Sequence, residues 1–404
     1  MIIYFLTFAF LTLLSLIESF INKSYFKVII GILLIYLTIL VGFRSDSFGD
    51  YCNYVISYVD TPNLIVFLQI YQDYHPIFEY GYEAISILTK TIIDHNIFNF
   101  LVIGGLSITI SFFCIKKMSP YFFLSVLLFL SHAFILKELA QIRAGLASSI
   151  ILLSIYFLVQ GKSIKYFSIV LIASLFHFSA IITILGYFTS KIINIFSYQR
   201  LLYVFVLSLC LLSAIFSLHL YIIEFLVIQD LMPHRFYVYY ADCPVEWGRS
   251  CANPNSTTNT SKIGILSNLT TIKYLGIVFM CLLYYNKLVK SSKFFNTVFI
   301  FYFIGLCWII VFNDIGIFAT RISAMFTVGE IILIPMIVKI IKPEILIKLF
   351  AIILTAIIFY ININRQFSGS INPLYPSKAF YQGDYCPTIQ NQWLHNRHLM
   401  LGLE

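Results

Sequence analysis

Residues 143–165 read RAGLASSIILLSIYFLVQGKSIK and contain the pattern that recurs along this chain. An apolar run over 144–159 follows Arg143 and precedes Lys162 and Lys165. A run of this length and composition is typical of a helix that spans a membrane. Lysines in short loops mark the cytoplasmic side by the positive-inside rule. Arg143 is therefore predicted at the opposite, outer end of the span.

The composition of the whole chain is that of a membrane protein. Its 404 residues are 60% hydrophobic and 11% charged, with a mean hydropathy of +0.90, which is more apolar surface than a soluble domain can bury. The other predicted spans are 2–20, 26–43, 97–115, 120–136, 202–222, 272–286, 294–312, 322–338 and 345–361. The net charge of +8 includes no basic run or basic–aromatic face, so binding of nucleic acid is not expected.

Lysine and arginine are distributed unequally across this topology. Thirteen of the eighteen lysines fall in loops predicted to be cytoplasmic, whereas seven of the eight arginines fall on the predicted outer side and only Arg200 joins the lysines. Arginine holds phosphate with a planar fork of donors, which lysine lacks. The division predicts a membrane protein that handles an anionic, phosphorylated substrate at its outer face.

The apolar stretch 166–190 does not fit this topology as one simple span. Counted as one span, it would place 223–271 inside and Lys287 outside, against the positive-inside rule. A broken or re-entrant helical pair that turns near His177 restores the number of membrane crossings that the lysine positions require. Irregular backbone at membrane depth must be covered by protein or line a water-filled cavity, so a cavity near His177 is expected. A mispredicted span elsewhere is the alternative.

Three long segments are predicted to face outward: 44–96, 223–271 and the tail 362–404. Within the first, 62–94 mixes apolar with acidic residues and is predicted to form short interfacial helices. The outer segments contain four cysteines, and an even number in an oxidising compartment favours disulfides. Spacing pairs Cys243 with Cys251, which leaves Cys52 and Cys386. A metal site is the competing interpretation, but the four lack CxxC spacing.

Segment 44–96 contains two groups of charged and aromatic residues. Arg44 follows the second span, and a glycine turn then leads to Asp50, Tyr51 and Tyr54. Tyrosines suit an interface and stack on sugars, although an ordinary interfacial belt with a snorkelling Arg has the same pattern. Glu79 lies between aromatic residues and a glycine, and it is suited to bind sugar hydroxyls or act as a base. A solvated helix face is the alternative.

Arg143 and His177 are unusual in their local sequence. Arg143 opens an apolar helix, where the macrodipole opposes a cation unless an anion lies between them, and helix N-terminal amides bind phosphate. An Arg143–Glu138 pair without a ligand is the alternative. His177 interrupts an apolar run, which is costly in a membrane without a partner. A core histidine with its hydrogen bonds satisfied is the alternative there.

Two further arginines occur in polar surroundings that suit pyrophosphate or glycan. Arg321 follows Asn313-Asp314 at the outer end of a hydrophobic hairpin, and Arg235 precedes a tyrosine cluster in the large outer loop. Such clusters are also common at interfaces. The chain has no Walker loop, GxGxxG after a strand, nucleophile elbow or HExxH. We therefore expect neither ATP nor nicotinamide, and no cofactor.

Taken in order, these residues resemble the Wzy/EpsG-type polysaccharide polymerases, which include the O-antigen polymerases of bacterial envelopes. The resemblance covers roughly residues 1–340. The matching pieces are Gly42-Phe43-Arg44 with Gly49-Asp50-Tyr51 and Tyr54, Glu79 with Gly81-Tyr82, Ile142-Arg143 with Leu146-Ala147, Ala173 with His177-Phe178-Ser179, and Arg321. The family often has Gln after the Arg of the third motif, where this chain has Ala144. The outer loop 230–271 and the tail look specific to this chain, so sugar specificity cannot be carried over.

The resemblance implies a fold, a reaction and a location. The expected fold is an all-α integral membrane protein of about 10–11 transmembrane helices plus the broken or re-entrant pair, with large outer loops, in a GT-C-like architecture. Residues 1–361 would form the catalytic membrane domain and 362–404 a periplasmic tail. Such enzymes transfer a growing glycan from undecaprenyl pyrophosphate to the incoming lipid-linked repeat unit. This occurs on the periplasmic leaflet of the bacterial inner membrane.

This reaction assigns expected roles to the candidate residues. The pyrophosphate or substrate contacts are Arg44, Arg143, Arg235, Arg321, Tyr51 and Tyr54, and the base or acceptor-positioning candidates are His177, Asp50 and Glu79. No metal is expected, because the chain has no tight carboxylate cluster. The expected partners are undecaprenyl pyrophosphate-linked oligosaccharide, membrane lipid and a chain-length regulator protein. Two rivals remain. An O-antigen ligase shares the chemistry with another acceptor, and a flippase would distribute charges through the spans to the inner face.

Overall fold

The computed structural model describes residues 1–44, 48, 50–193, 195–196, 198–218, 221, 268–313 and 316–367. All regular structure within these ranges is helical. The α-helices are α1 (Ile2–Ile17), α2 (Lys23–Gly42), α3 (Tyr51–Asp60), α4 (Leu64–Ile70), α5 (Tyr80–Ile92), α6 (Asn96–Met118), α7 (Phe122–Phe129), α8 (Ile142–Val159), α9 (Ser163–Ser174), α10 (Ile184–Ile193), α11 (Gln199–Ile215), α12 (Leu269–Leu283), α13 (Tyr285–Ser291), α14 (Phe295–Val311), α15 (Gly316–Phe326), α16 (Glu330–Ile340) and α17 (Glu344–Phe367). A π-helical segment, Leu130–Leu139, continues α7, and 3-10 turns occupy Glu18–Phe20, Phe178–Thr183 and Thr327–Gly329.

The prediction of an all-α membrane protein is confirmed. Among the described residues, seven helices are long and apolar enough to cross a membrane: Ile2–Phe20, Lys23–Gly42, Asn96–Met118, Phe122–Leu139, Ile142–Val159, Phe318–Ile340 and Glu344–Phe367. An eighth is present if α12 and α13, which meet at a 79° bend, form one span. The spans predicted at 202–222 and 294–312 coincide with α11 and α14, but each of these helices has only 17 residues. This shorter length accounts for the lower count.

Helix contacts group the described part of the chain into two compact units, and the prediction of one catalytic membrane domain over 1–361 stays a prediction. Among the described residues, the first unit contains Met1–Ser154, Ile164–Phe178 and 342–367, and the second contains Ile155–Ser163 and the described part of 179–341. In the first unit, α17 continues to Phe367, so its last turns occupy positions that were predicted as tail. In the second unit, Lys273 and Glu330 form an ion pair at 2.7 Å. Such pairing is the usual way that charges are tolerated within membrane helices.

The predicted outer segment 44–96 contains three short helices, α3, α4 and α5. α4 buries none of its residues, and Ile65 and Leu68 are each about two-thirds exposed, at 68% and 64%. An exposed apolar helix of this kind is typical of a membrane interface.

The helix break predicted near His177 is present. α9 ends at Ser174, and the next helical turn begins at Phe178, so His177 lies in the intervening break. Re-entry of this pair and a cavity beside it remain predictions. The positions of the lysines and the number of spans therefore predicted an interruption that the structure contains.

Close packing of α2 against α6 fixes the point from which the first outer segment begins. A Cβ atom on Gly104 would lie 2.5 Å from Cγ1 of Val41, and one on Gly42 would lie 2.4 Å from Cδ2 of Leu101. Small residues allow helices in a membrane to approach this closely. Because Gly42 ends α2 two residues before Arg44, the contact sets where Arg44 leaves the helix.

We expect Gly104→Ala to destabilise the protein by about 1–3 kcal/mol, because the added methyl group would displace Val41. The matched control is Gly31→Ala in α2, where an added Cβ would have no atom within 4 Å. That change should be neutral or slightly stabilising. Thermal unfolding of both variants in detergent measures the difference. Equal unfolding temperatures would contradict this view of the α2–α6 contact.

Candidate active site

Arg44 is fully buried at the end of α2. Its Nη1 donates a hydrogen bond to the carbonyl oxygen of Leu139 at 3.1 Å. Its Cζ lies 4.0 Å from the ring centroid of Phe100, 5.1 Å from that of Tyr54 and 5.7 Å from that of Tyr51. These rings stabilise the guanidinium by cation–π attraction. Arg44, Tyr51 and Tyr54, all predicted as substrate contacts, are therefore buried against one another behind the exposed part of the site.

Asp50 is another candidate whose backbone has a clear structural role. Its amide donates to the carbonyl oxygen of Ala140 at 3.2 Å, and the residue precedes the first turn of α3. The carbonyls of Leu139 and Ala140 lie at the C-terminal end of the π-helical segment, where main-chain acceptors lack helical partners. Arg44 and Asp50 supply those partners. Together they hold the chain immediately before Arg143.

Arg143, Glu79 and His177 form one cluster. Nη1 of Arg143 pairs with Oε2 of Glu79, and Nδ1 of His177 lies 3.5 Å from Oε1 of the same carboxylate. The three side chains are 16%, 23% and 17% exposed, so each has a limited route to solvent or substrate. A pair between Arg143 and Glu138 was the alternative that the sequence left open. In the structure, Glu138 instead accepts a hydrogen bond from Oγ of Ser107 at 2.7 Å.

Aromatic rings surround the cationic side of this cluster. The Cζ atom of Arg143 lies 3.7 Å from the ring centroid of Phe78 and 5.5 Å from that of Tyr54. Tyr54 thus contacts both Arg143 and Arg44. Phe78 packs in turn against Tyr82, with their centroids 5.5 Å apart. The rings restrict the orientation of Arg143 and leave its planar edge directed at Glu79.

Gly81 brings the start of α5 against the break after α9. Its amide donates to the carbonyl oxygen of Leu175 at 2.8 Å, and a Cβ atom at this position would lie 2.7 Å from the same oxygen. Only glycine permits this approach of one backbone to another. Glu79 lies two residues before Gly81, and His177 lies two residues after Leu175. The contact therefore places the carboxylate beside the imidazole.

The charges around Glu79 determine its ionisation. Burial raises the pKa of its carboxyl, but the neighbouring His177 and the guanidinium of Arg143 outweigh burial and lower the pKa to about 2. Glu79 is therefore an anion at neutral pH. A carboxylate with so low a pKa is a weak general base. Its geometry suits it better to orient the two basic groups that it contacts.

The structure describes only some of the remaining predicted residues. Arg321 is half-buried in α15 of the second unit, and Nδ2 of Asn313 donates to the carbonyl oxygen of Ile310 at 3.0 Å. Asp314, Arg235 and the tyrosine cluster after Arg235 lie outside the described residues. Cys52 is disulfide-bonded, as expected for a cysteine of the outer segments. Its predicted partner Cys386 and the predicted Cys243–Cys251 pair also lie outside the described residues, so both pairings stay predictions.

Sequence reasoning missed Phe100 and Glu83. Phe100 is one of many aromatic residues in an apolar span, and nothing local marks it as the ring nearest to Arg44. Glu83 has a signal in the sequence, because it is a second acidic residue four positions after Glu79, in the first turn of α5. An acidic residue at that spacing is buried here, at 2% exposed.

A comparison with protein families matches most of the chain. The model of the EpsG family matches residues 27–376, which include every residue of the cluster. No curated protein and no solved structure matches the chain.

The low pKa of Glu79 predicts a defined loss of stability in acid. Because the pKa falls on folding from 4.5 to about 2, its contribution is fully present above pH 4.5 and is lost as the pH falls towards 2. The contribution is at most about 3 kcal/mol. We expect Glu79→Gln to remove this part of the pH dependence of the unfolding temperature. Asp73→Asn at an exposed position should leave it intact. Superimposable profiles for the wild type and Glu79→Gln would refute the assignment.

Proposed function

The chain belongs to the EpsG family, and from this premise we propose that it is a metal-independent membrane glycosyltransferase of the polysaccharide-polymerase type. In the proposed reaction, a growing glycan moves from undecaprenyl pyrophosphate to the incoming lipid-linked repeat unit. A hydroxyl oxygen of the acceptor forms a bond to the anomeric carbon of the donor sugar. The bond from that carbon to the pyrophosphate oxygen breaks, and the hydroxyl proton passes to a base.

The observation that carries this proposal is the partly exposed pair of Arg143 and Glu79. The carboxylate occupies a position on the edge of the guanidinium that a phosphate oxygen is equally suited to take. Nε of Arg143 is buried and has no hydrogen-bond partner within the described part of the chain, so this donor of the guanidinium is unused. Arg143 also lies in the first turn of α8, which begins at Ile142, where helix amides favour an anion. These features together suit a leaving pyrophosphate.

His177 is the proposed base. One ring nitrogen, Nδ1, faces the Glu79 carboxylate at 3.5 Å, which leaves Nε2 for the acceptor hydroxyl. A carboxylate beside one nitrogen helps to orient the ring so that the other nitrogen can take a proton. Glu79 would thus orient both the base and the pyrophosphate ligand. Asp50, the other predicted base, interacts with the carbonyl before Arg143 through its backbone and remains a secondary candidate.

The site is proposed to face the periplasm from the bacterial inner membrane. The separation of outer arginines from inner lysines supports this orientation. The disulfide at Cys52 on α3 supports it independently, because disulfides persist in oxidising compartments. Lipid-linked substrates on the outer leaflet reach such a site without ATP.

Purified protein with lipid-linked repeat units tests the proposed reaction. A ladder of chain lengths indicates a polymerase. A single product on lipid A–core indicates a ligase, and movement of lipid without new glycosidic bonds indicates a flippase. Only the first outcome agrees with the proposal.

Arg143→Ala is expected to slow polymer formation by roughly 100- to 1,000-fold, the usual effect of removing one donor to developing charge. Arg143→Lys should restore only part of the rate, because a point charge does not reproduce a planar fork. Arg200→Ala, at the exposed arginine grouped with the lysines, is the matched control and should retain the wild-type ladder. Rates are measured per folded protein. A normal ladder from Arg143→Ala would overturn the assignment of Arg143.

His177→Gln is expected to lower the rate by roughly 100-fold or more, because glutamine retains hydrogen bonding but cannot take a proton. A base role also predicts that the wild-type rate falls as the pH is lowered, whereas a cationic role predicts that it falls as the pH is raised. Chain-length ladders collected over a pH series separate the two roles. Full polymer length and rate in His177→Gln would show that His177 is a structural residue.

A further inference from the structure

The carboxylate of Glu83 is a second buried acid near the site, and donors surround it. Its Oε1 accepts hydrogen bonds from Oγ of Ser57 at 3.3 Å and from the amide of Phe78 at 3.2 Å. Its Oε2 accepts from Oγ1 of Thr61 and from the hydroxyl of Tyr74, both at 3.1 Å. Burial of an anion is tolerated when its lone pairs are satisfied in this way. The Thr61 hydroxyl shares its single proton with the carbonyl oxygen of Ser57, 2.8 Å away, and the other three donors are directed at the carboxylate.

These donors come from separate parts of the chain. Ser57 belongs to α3 and Thr61 follows its last turn, whereas Tyr74 and Phe78 lie in the connection between α4 and α5. Glu83 itself is in the first turn of α5, where its amide donates to the carbonyl oxygen of Glu79 at 3.2 Å. The carboxylate therefore ties the connection to both helices immediately before Glu79.

We propose that Glu83 is a positioning residue that acts through Phe78 and Glu79 to hold Arg143 in its working orientation. Phe78 is bonded to Glu83 through its amide, and its ring lies 3.7 Å from Cζ of Arg143. The next residue, Glu79, holds the edge of the same guanidinium. The contacts of Phe78 and Glu79 with Arg143 thus both depend on the position of the backbone at Phe78. This role rests on the proposed function of the site, and Glu83 itself does not reach substrate.

The groups that donate to Glu83 differ in whether they can also accept a hydrogen bond, and this difference provides a test. Hydroxyls of Ser, Thr and Tyr either donate or accept, whereas the Phe78 amide only donates. In Glu83→Gln, the amide oxygen can face Phe78 and Ser57 while the amino group donates to Thr61 and Tyr74. All four contacts are then kept without the charge. Glu83→Met fills a similar volume but accepts no hydrogen bond and leaves the Phe78 amide unsatisfied.

The first measurement does not depend on enzyme activity. A double-mutant cycle compares the unfolding temperatures of Glu79→Gln, Arg143→Gln and the variant that carries both changes. Repeated in each Glu83 variant, it reports the coupling, which is how strongly Glu79 and Arg143 stabilise each other. We expect the coupling to persist in Glu83→Gln and to disappear in Glu83→Met. Tyr74→Phe removes a single donor from Oε2 and should reduce the coupling only partly. This milder variant serves if Glu83→Met does not fold. Unchanged coupling in both Glu83→Met and Tyr74→Phe would overturn the proposal, as would equal loss in Glu83→Gln and Glu83→Met.

The second measurement uses the polymerisation assay. Glu83→Gln should retain kcat within about threefold, and Glu83→Met should lose roughly 10- to 100-fold in kcat with little change in KM for the acceptor, as expected for a misplaced catalytic group. A wild-type kcat in Glu83→Met, or a loss confined to KM, would contradict the positioning role. If the wild type makes no polymer at all, the proposed function fails. The coupling measurement still decides whether Glu83 positions the pair.

Discussion

The carboxylate of Glu79 is the interaction on which the site depends. It lies between two basic side chains that belong to distant parts of the sequence, Arg143 at the start of α8 and His177 in the break after α9. Burial of an unpaired guanidinium such as that of Arg143 is costly in an apolar protein, and a buried imidazole also needs a polar partner. Glu79 offsets both costs because it contacts both groups. Its low pKa is the expected electrostatic consequence.

Every segment that contributes to this contact has its own anchor. Arg44 and the amide of Asp50 hold the carbonyls before Arg143, Gly81 joins α5 to the chain before His177, and Glu83 holds the connection that ends at Glu79. Two of these anchors, Arg44 and Glu83, are fully buried, whereas Asp50 and Gly81 are partly exposed. A buried shell that fixes a few accessible groups is the usual construction of a site that must hold charge in place. The first unit of the chain thus resembles a scaffold for three side chains.

The sequence predicted the fold class and the members of the central cluster better than it predicted their contacts. Long apolar runs identify spans because no water is present to satisfy an irregular backbone, and the parity of the lysines located the break at His177. Arg143, Glu79 and His177 each stood out because charge is rare in their surroundings. The partner of Arg143 could not be deduced, since Glu138 is near in sequence whereas Glu79 is 64 residues away. Burial of Arg44 depends on Phe100, which local sequence does not distinguish from other aromatic residues.

We propose that the lipid pyrophosphate binds at the Arg143–Glu79 pair. The most direct test is an experimental structure of the protein in a lipid nanodisc with undecaprenyl pyrophosphate bound. We expect phosphate oxygens at hydrogen-bond distance from the Arg143 guanidinium, roughly 2.7–2.9 Å, with Glu79 shared or displaced from that edge. Pyrophosphate bound elsewhere, with the Arg143–Glu79 pair undisturbed, would contradict it.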